Sequence, residues 1–177
     1  YNPLTELDVS RNTKLTELLC HENQLTALDL THNTALATVY CPNNRLTALD
    51  LSKNTALATL ACSRNQLTAL DLSQNTAITE LYCNNNQLAA LDLSRNTALT
   101  ELYCNGNRLT TLDLSRNTEL TKIYCDDNPL TELNISNLSK IEEIVFGDNP
   151  EINVIANSQT VVSDEVRHYM DGKRKTP

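Results

Sequence analysis

Hydrophobic positions return along this chain with a period of 21 residues, and each period holds two short segments of alternating apolar and polar residues. The first segment has the pattern Leu-x-x-Leu-x-Cys-x-x-Asn, as in residues 99–107, and the second has Leu-x-x-Leu-Asp-Leu-x-x-Asn-Thr, as in residues 109–118. Alternation with a period of two predicts a short β-strand in each segment. The asparagines predict the turn that follows each strand.

Seven such units follow one another in register, beginning at Leu4, Leu25, Leu46, Leu67, Leu88, Leu109 and Leu130. Leucines at constant offsets within a period of about 20–30 residues are typical of a leucine-rich-repeat solenoid. No single unit can bury its own leucines, so stability must come from stacking on neighbouring units. We therefore predict a right-handed solenoid in which equivalent short strands pair as parallel sheets, with two strand–turn halves per unit and little helix.

The repeats predict a solenoid domain over residues 1–157 and a C-terminal cap or tail over residues 158–177. Ser163-Asp164-Glu165 has the character of a helix start and Gly172 that of a stop, so a short helix is predicted over residues 163–171. Tyr1-Asn2-Pro3-Leu4 aligns with residues 127–130, which places the first residue partway through a unit. We expect the natural protein to extend upstream.

One position of the repeat is a cysteine in six successive units: Cys20, Cys41, Cys62, Cys83, Cys104 and Cys125. Equivalent positions on successive turns lie about 4.8 Å apart with parallel side chains. A disulfide instead needs Cβ atoms about 3.8 Å apart and turned toward each other. We expect six buried, reduced thiols that act as small hydrophobic groups. A stack of soft metal ions is the alternative, but each turn offers one thiolate and no second type of ligand in register.

Two columns of asparagines mark the turns. The first column is Asn23, Asn44, Asn65, Asn86, Asn107 and Asn128, and the second is Asn12, Asn33, Asn54, Asn75, Asn96 and Asn117. Side-chain amides stacked once per turn can satisfy buried backbone groups between successive turns. We predict this structural role in preference to glycan attachment, because only Asn134 and Asn137 lie in a glycosylation pattern.

An aromatic column is predicted on the outward side of the first strand of each unit. We call the following candidate ligand-binding residues the tyrosine strip: Tyr40, Tyr82, Tyr103 and Tyr124, with Glu80, Glu101, Asn84 and Asn105. Four of the six tyrosines of the chain lie in this one column. Tyrosine is enriched at interfaces because it buries a large area at low entropic cost. The alternative is that stacked tyrosines only stabilise the sheet through contacts between strands.

An aspartate column occupies the second half of the repeat: Asp8, Asp29, Asp50, Asp71, Asp92 and Asp113. A mostly basic column lies three residues further on, so ion pairs between turns, or bonds to local turn amides, account for these carboxylates. Calcium is the sharper alternative, but it needs about six to eight oxygen ligands per ion. Asp126, Asp127 and Asp148 are a second weak candidate for a metal site. We predict no cofactor and no metal.

Charge and motif content narrow the function. The net charge is -8, from 14 Lys+Arg against 22 Asp+Glu, which disfavours nucleic acid and anionic membranes as partners. The chain has no apolar run of about 18 residues, so no membrane insertion is predicted. His21, His32 and His168 have no nucleophile or metal-ligand partner set by a motif. We expect no enzyme in this segment.

The phrases Leu-Thr-x-Leu-Asp-Leu-Ser-x-Asn-Thr and Leu-Thr-Glu-Leu-Tyr-Cys-x-x-Asn resemble the internalin branch of bacterial leucine-rich-repeat proteins, in its cysteine-ladder form. The resemblance covers about Asn2 to Pro150. It implies an extracellular or cell-surface protein whose Leu-x-x-Leu-x-(Leu/Cys) strands line the concave face. It also implies a monomeric, non-enzymatic module for adhesion or protein interaction. The implied partner is a protein or a glycan, and host molecules are among the candidates. The alternatives are a substrate-recruiting region of a secreted effector and a structural spacer without a ligand.

Overall fold

The computed structural model describes residues 3–147 and 152–156 as a parallel β-solenoid with one turn per 21 residues. No helix occurs in these residues, and none is therefore long and apolar enough to cross a membrane. Nine strands of three residues each lie in the described chain: β1 (Glu17–Leu19), β2 (Thr38–Tyr40), β3 (Thr59–Ala61), β4 (Glu80–Tyr82), β5 (Glu101–Tyr103), β6 (Lys122–Tyr124), β7 (Glu132–Asn134), β8 (Glu143–Val145) and β9 (Asn153–Ile155). The predicted helix over residues 163–171 lies outside the described residues.

Seven of these strands form one parallel sheet in the order β1-β2-β3-β4-β5-β6-β8, which we call the main sheet. Every pair is in register at the repeat period, as in Leu81↔Leu102 and Tyr82↔Tyr103. The middle residue of each strand is buried and its two neighbours face outward, which is the alternation the sequence predicts. The predicted solenoid architecture is confirmed.

The second strand predicted in each unit is wrong for most of the chain. The second-half segments of the first six units, such as Leu70-Asp71-Leu72, form no strand. Grooves separate successive turns on this side; one is lined by residues 48–52 of one turn and by Ala69 and Asp71 of the next. The alternation therefore sets which side chains face inward on this side without pairing the segments of successive turns.

The second-half segments pair only at the C-terminal end of the described chain. There β7 and β9 form a two-stranded parallel sheet in the register Glu132↔Asn153 and Leu133↔Val154. The 21-residue register therefore continues to Ile155, although the sequence signature ends before it. The turns are close enough at this end for the bond from the Ile135 amide to the Ile155 carbonyl, at 2.8 Å.

The core lies between the main sheet and the second-half segments. The middle residues of the main-sheet strands form a column behind the sheet that is buried throughout, with Leu60, Leu81 and Leu102 fully inaccessible to solvent. The six cysteines are unpaired and buried beside this column, as predicted. Burial raises the pKa of Cys20 to about 11 and those of Cys83 and Cys125 to about 12, so the thiols stay protonated and unreactive.

Candidate functional site

The loop after each cysteine is held by the first asparagine column. Asn86 donates from Nδ2 to the carbonyls of Cys83 and Cys62, at 3.0 and 3.1 Å, and its Oδ1 accepts the amide of Leu67 at 3.0 Å. The same three bonds recur at Asn44, Asn65, Asn107 and Asn128. The predicted bridging of backbone groups between turns is present in the structure, and it fixes where each outward side chain stands.

One residue before each of these asparagines adopts a left-handed conformation, with φ between 51 and 55° at Glu22, Asn43, Arg64, Asn85 and Asp127. This turn brings the chain back toward the core after the cysteine. The equivalent residue in the fifth unit is glycine, with φ at 65°, and a Cβ there would lie 2.6 Å from Asn85 Oδ1. A side chain in place of Gly106 would therefore collide with the Asn85 side chain.

The second asparagine column supports the opposite edge of the solenoid. Asn75 is fully buried and donates from Nδ2 to the carbonyls of Leu51 and Asn54, at 3.0 and 2.9 Å. The Oδ1 atoms of five members of this column are buried and accept no hydrogen bond from the protein: Asn33, Asn54, Asn75, Asn96 and Asn117. Within the protein the side-chain amide acts only as a donor, and its two bonds join each turn to the one before it.

Three tyrosines of the strip form a continuous stack on the outer face of the main sheet. The ring centroids of Tyr82 and Tyr103 are 4.8 Å apart with an interplanar angle of 28°, and those of Tyr103 and Tyr124 are 4.5 Å apart at 10°. The strand register places equivalent residues one strand spacing apart, which is the distance at which parallel rings touch. Both faces of Tyr103 are therefore covered by its neighbours.

Carboxylates on the strand residues hold the rings upright. The hydroxyl of Tyr82 donates to Glu101 at 3.1 Å and to Glu80 at 3.3 Å, and the hydroxyl of Tyr124 donates to Glu143. Lys122 is paired with Glu101 at 2.8 Å. The structure thus unites Tyr82, Tyr103 and Tyr124 with Glu80 and Glu101, as the sequence predicts.

Sequence reasoning missed the parts that Glu143 and Lys122 play in this network. Both lie in the column that also contains Glu80 and Glu101, two residues before each tyrosine position. That shared offset was the available signal. Which carboxylate meets which hydroxyl was not readable, because Tyr82 reaches a glutamate 19 residues ahead on the next strand.

Tyr40 stands apart from the stack. It is 41% exposed, and its ring meets His21 edge-on at a centroid distance of 5.3 Å. The residue between Tyr40 and Tyr82 in the strand register is Ala61, which interrupts the aromatic column by one place. Ala61 itself is only 3% exposed, so the side chains around it close over this position.

The two asparagines of the strip, Asn84 and Asn105, differ in their hydrogen bonds to the rest of the loop. Asn84 accepts the hydroxyl of Ser63 at 2.5 Å through Oδ1, and its backbone carbonyl accepts the Arg64 amide at 2.9 Å. The backbone carbonyl of Asn105 accepts the amide of Asn85 at 2.8 Å. Asn84 is therefore partly committed to the structure of the loop, whereas Asn105 is half-buried at the edge of the strip.

The aspartate column bonds locally rather than to the basic column. Asp71 accepts the Ser73 amide at 2.8 Å, and this bond, with one to the Ser73 hydroxyl, lowers the pKa of the exposed carboxyl. Five equivalent bonds of about the same length occur along the column. Within the described chain, the ion pairs are Lys122–Glu101 and Lys140–Glu119. Of the two predicted explanations for this column, the bonds to local turn amides are therefore observed and the ion pairs between turns are not.

The structure describes two of the three candidate metal ligands, Asp126 and Asp127. No group of three or more His, Cys, Asp or Glu side chains placed to hold a metal ion occurs among the described residues. Asp126 is half-buried with Oδ1 unbonded, and burial raises the pKa of its carboxyl. Asp148 lies outside the described residues. His21 packs on Tyr40 and His32 lies 3.3 Å from the Thr31 hydroxyl, while His168 is also outside the described chain.

The hydrogen-bonded rings should titrate late. Burial and the bond to Glu101 raise the pKa of Tyr82 well above its ordinary value of 10, and the bond to Glu143 raises that of Tyr124 to about 12. A raised folded-state pKa means that both groups stabilise the fold fully below about pH 10, and that each loses this contribution as the pH rises through its own folded-state pKa, about 12 for Tyr124. Absorbance at 295 nm should show late ionisation, and Glu101→Gln should bring the Tyr82 titration to lower pH. An unchanged Tyr82 titration in that variant would contradict the network.

Known proteins share this repeat and fold. The family model for Leucine Rich repeats (2 copies) matches residues 76–117. The functional domain of InlJ from Listeria monocytogenes, which includes a cysteine ladder, aligns with a TM-score of 0.86 at 38% identity over 88% of this chain and 35% of that one. None of the curated proteins matches the chain.

Two further solved structures share the fold at lower sequence identity. YopM, a leucine-rich effector protein from Yersinia pestis, aligns at 28% identity with a TM-score of 0.74, over 86% of this chain and 42% of that one. Internalin InlF from Listeria monocytogenes shares the fold at 19% identity with a TM-score of 0.75, over 89% of this chain and 51% of that one. The chain thus spans 35–51% of the lengths of these three structures.

The repeat pattern, the parallel solenoid and these likenesses define a leucine-rich-repeat module for protein interaction. The chain has the cysteine ladder that the InlJ domain also contains. It is an internalin-like bacterial leucine-rich-repeat protein.

Proposed function

We propose that this chain is a non-enzymatic binding module that engages a protein partner through the tyrosine strip. The observation that carries the proposal is the ordered stack of Tyr82, Tyr103 and Tyr124 on the outer face of a rigid sheet. The rings are fixed by carboxylates before any ligand arrives, so little side-chain entropy remains to be lost on binding. Tyrosine rings that are already held in place are suited to act as anchors at an interface.

The stack geometry favours a protein over a glycan. A sugar ring binds aromatic residues by lying flat against an open ring face. Both faces of Tyr103 are covered by its neighbours, at centroid distances of 4.8 and 4.5 Å. The middle of the stack therefore offers a partner the edge and hydroxyl group of Tyr103, beside the flanking carboxylates of Glu80 and Glu143. These groups match the mixed polar and apolar contacts of a protein surface.

The setting of this activity is part of the proposal. The similar proteins InlJ and InlF are internalins and YopM is an effector protein of a bacterium, which supports an extracellular site of action with a host protein as partner and adhesion as one outcome. We propose that the module acts as a monomer, since the turns stack within one chain. The likeness to YopM keeps a second role open, in which the repeats recruit a substrate for an effector.

Paired alanine substitutions test the proposed face. The parent and the Tyr82→Ala/Tyr103→Ala variant are compared for binding to a panel of purified host extracellular domains and glycans. Two interface tyrosines contribute about 2 kcal/mol each, so the variant should bind the partner at least about 100-fold more weakly. Gln74→Ala/Arg95→Ala is the matched control, because both side chains are exposed and lie in the second halves of the two units that contain Tyr82 and Tyr103.

The outcomes separate the candidate functions. Binding that the tyrosine variant loses and the control retains supports the proposal. A partner that binds both variants equally would move the contact to another face and contradict it. A chain that binds nothing in the panel, in any form, would favour a structural spacer. A partner found only among glycans would overturn the choice of protein over glycan.

A further inference from the structure

The interruption of the aromatic column at Ala61 is the part of the tyrosine strip that the stack does not use. Tyr40, Ala61 and Tyr82 are consecutive in the strand register, so Tyr40 and Tyr82 are two strand spacings apart. That distance is about 9.6 Å between backbones. Tyr82 meets Tyr103 with one face, which leaves its other face turned toward the Ala61 position.

The width of this gap fits one planar group. A flat group between two rings needs about 3.5–4 Å to each, or about 7–8 Å in all. In the unbound chain the gap is closed over, since Ala61 is only 3% exposed. Tyr40 is 41% exposed and contacts the ring of His21 edge-on, so its side chain has room to turn outward and open the gap.

The charge at the gap selects the kind of planar group. Glu80 flanks the Ala61 position on the same outward face, where its carboxylate accepts the Tyr82 hydroxyl at 3.3 Å. Neither of the ion pairs in the described part of the chain involves Glu80. Arg64 of the same turn is exposed in the loop and does not neutralise it by pairing. A carboxylate without an ion-pair partner beside the open face of Tyr82 attracts a cation.

We propose that the gap over Ala61 binds an arginine side chain of the partner, sandwiched between Tyr40 and Tyr82 and paired with Glu80. The guanidinium group is planar and weakly hydrated, and it both stacks on rings and forks onto a carboxylate. A lysine ammonium cannot lie flat between two rings and retains its hydration more strongly. This inference rests on the proposed function and names the chemistry of one contact within it.

Ligand titration followed by NMR tests the site directly. The probes are the capped peptides Gly-Gly-Arg-Gly-Gly and Gly-Gly-Lys-Gly-Gly, and the readout is the ring signals of Tyr40 and Tyr82. The arginine peptide should shift both signals in a saturable way, and the lysine peptide should bind at least about fivefold more weakly. Glu80→Gln, which leaves the gap intact, should weaken the arginine peptide about fivefold.

A filling substitution gives the sharpest comparison. Ala61→Tyr adds the missing ring of the column, keeps every native tyrosine and should weaken the arginine peptide about tenfold or more. Val145→Tyr is the matched control, because it adds a ring beyond Tyr124 at the far end of the same column. It should leave the affinity within about twofold.

Three results would contradict the proposed arginine site. These results are an absence of shifts at Tyr40 and Tyr82, equal binding of the two peptides, and equal binding to the parent and to Ala61→Tyr. Failure here is distinct from failure of the proposed function. A protein partner that Tyr82→Ala/Tyr103→Ala loses but Ala61→Tyr retains would leave the binding face standing and remove only the arginine contact.

Discussion

Asn86→Ala should lower the free energy of unfolding by about 3–5 kcal/mol, which is a large part of the stability of a domain of this size. The side chain is buried and makes three bonds to the backbone, to the carbonyls of Cys83 and Cys62 and from the amide of Leu67. Alanine makes none of these three bonds, which are worth about 1 kcal/mol each, and it leaves the buried Leu67 amide without its acceptor, at a further cost of about 1–3 kcal/mol. The carbonyls of Cys62 and Cys83 keep their bonds to Asn65 and Asn107. Urea unfolding followed by circular dichroism measures the change.

Asn23→Ala is the matched control for this prediction. Asn23 occupies the same column in an earlier turn and makes comparable bonds to Cys20, His21 and Leu4, but its site is half-exposed. Water replaces the lost partners there, so the expected loss is about 1 kcal/mol. Similar losses at both positions would contradict the view that burial of the bonded backbone groups sets the cost.

Leu81→Ala should destabilise the fold by about 3–5 kcal/mol. Leu81 is fully buried in the middle of the main sheet and is paired in register with Leu60 on one side and Leu102 on the other. Truncation loses the transfer free energy of the side chain and leaves a cavity, because the strands above and below are held by their own hydrogen bonds and cannot collapse. The loss is measured as a shift in the midpoint of chemical unfolding.

Leu18→Ala makes the same chemical change in β1, where the side chain is 8% exposed and has a register neighbour in β2. Because a turn at the end of the described stack can relax more easily, the expected loss is about 2 kcal/mol. A loss at Leu81 no larger than the loss at Leu18 would show that the middle of the stack is not more tightly packed than its end.

Most of the fold could be predicted from the 21-residue periodicity, because each turn repeats the same residue types at the same offsets. The buried column through Leu60, Leu81 and Leu102, the unpaired cysteines and the bridging asparagines all follow from one residue type at one offset. Stacking at a fixed period then makes parallel pairing in register the arrangement that buries every unit's leucines. These features needed no knowledge of any single contact.

The second-half segments show the limit of that reasoning. Leu70-Asp71-Leu72 has the same alternation as a strand and remains unpaired, whereas Leu133 lies in a strand that pairs with β9. The difference depends on the distance between successive turns on that side of the solenoid, which is a property of the whole stack and not of one unit. Local alternation predicts which side chains face inward but not the distance between turns.

The candidate site divides in the same way. The amino-acid sequence by itself determined the solenoid, the buried cysteines and the outward column of tyrosines flanked by glutamates, because each is set by an offset within the repeat. Tertiary structure alone decided which rings touch, which glutamate accepts which hydroxyl, and that Ala61 is covered between Tyr40 and Tyr82. These depend on side-chain geometry between turns that are adjacent in space but 21 residues apart in the chain.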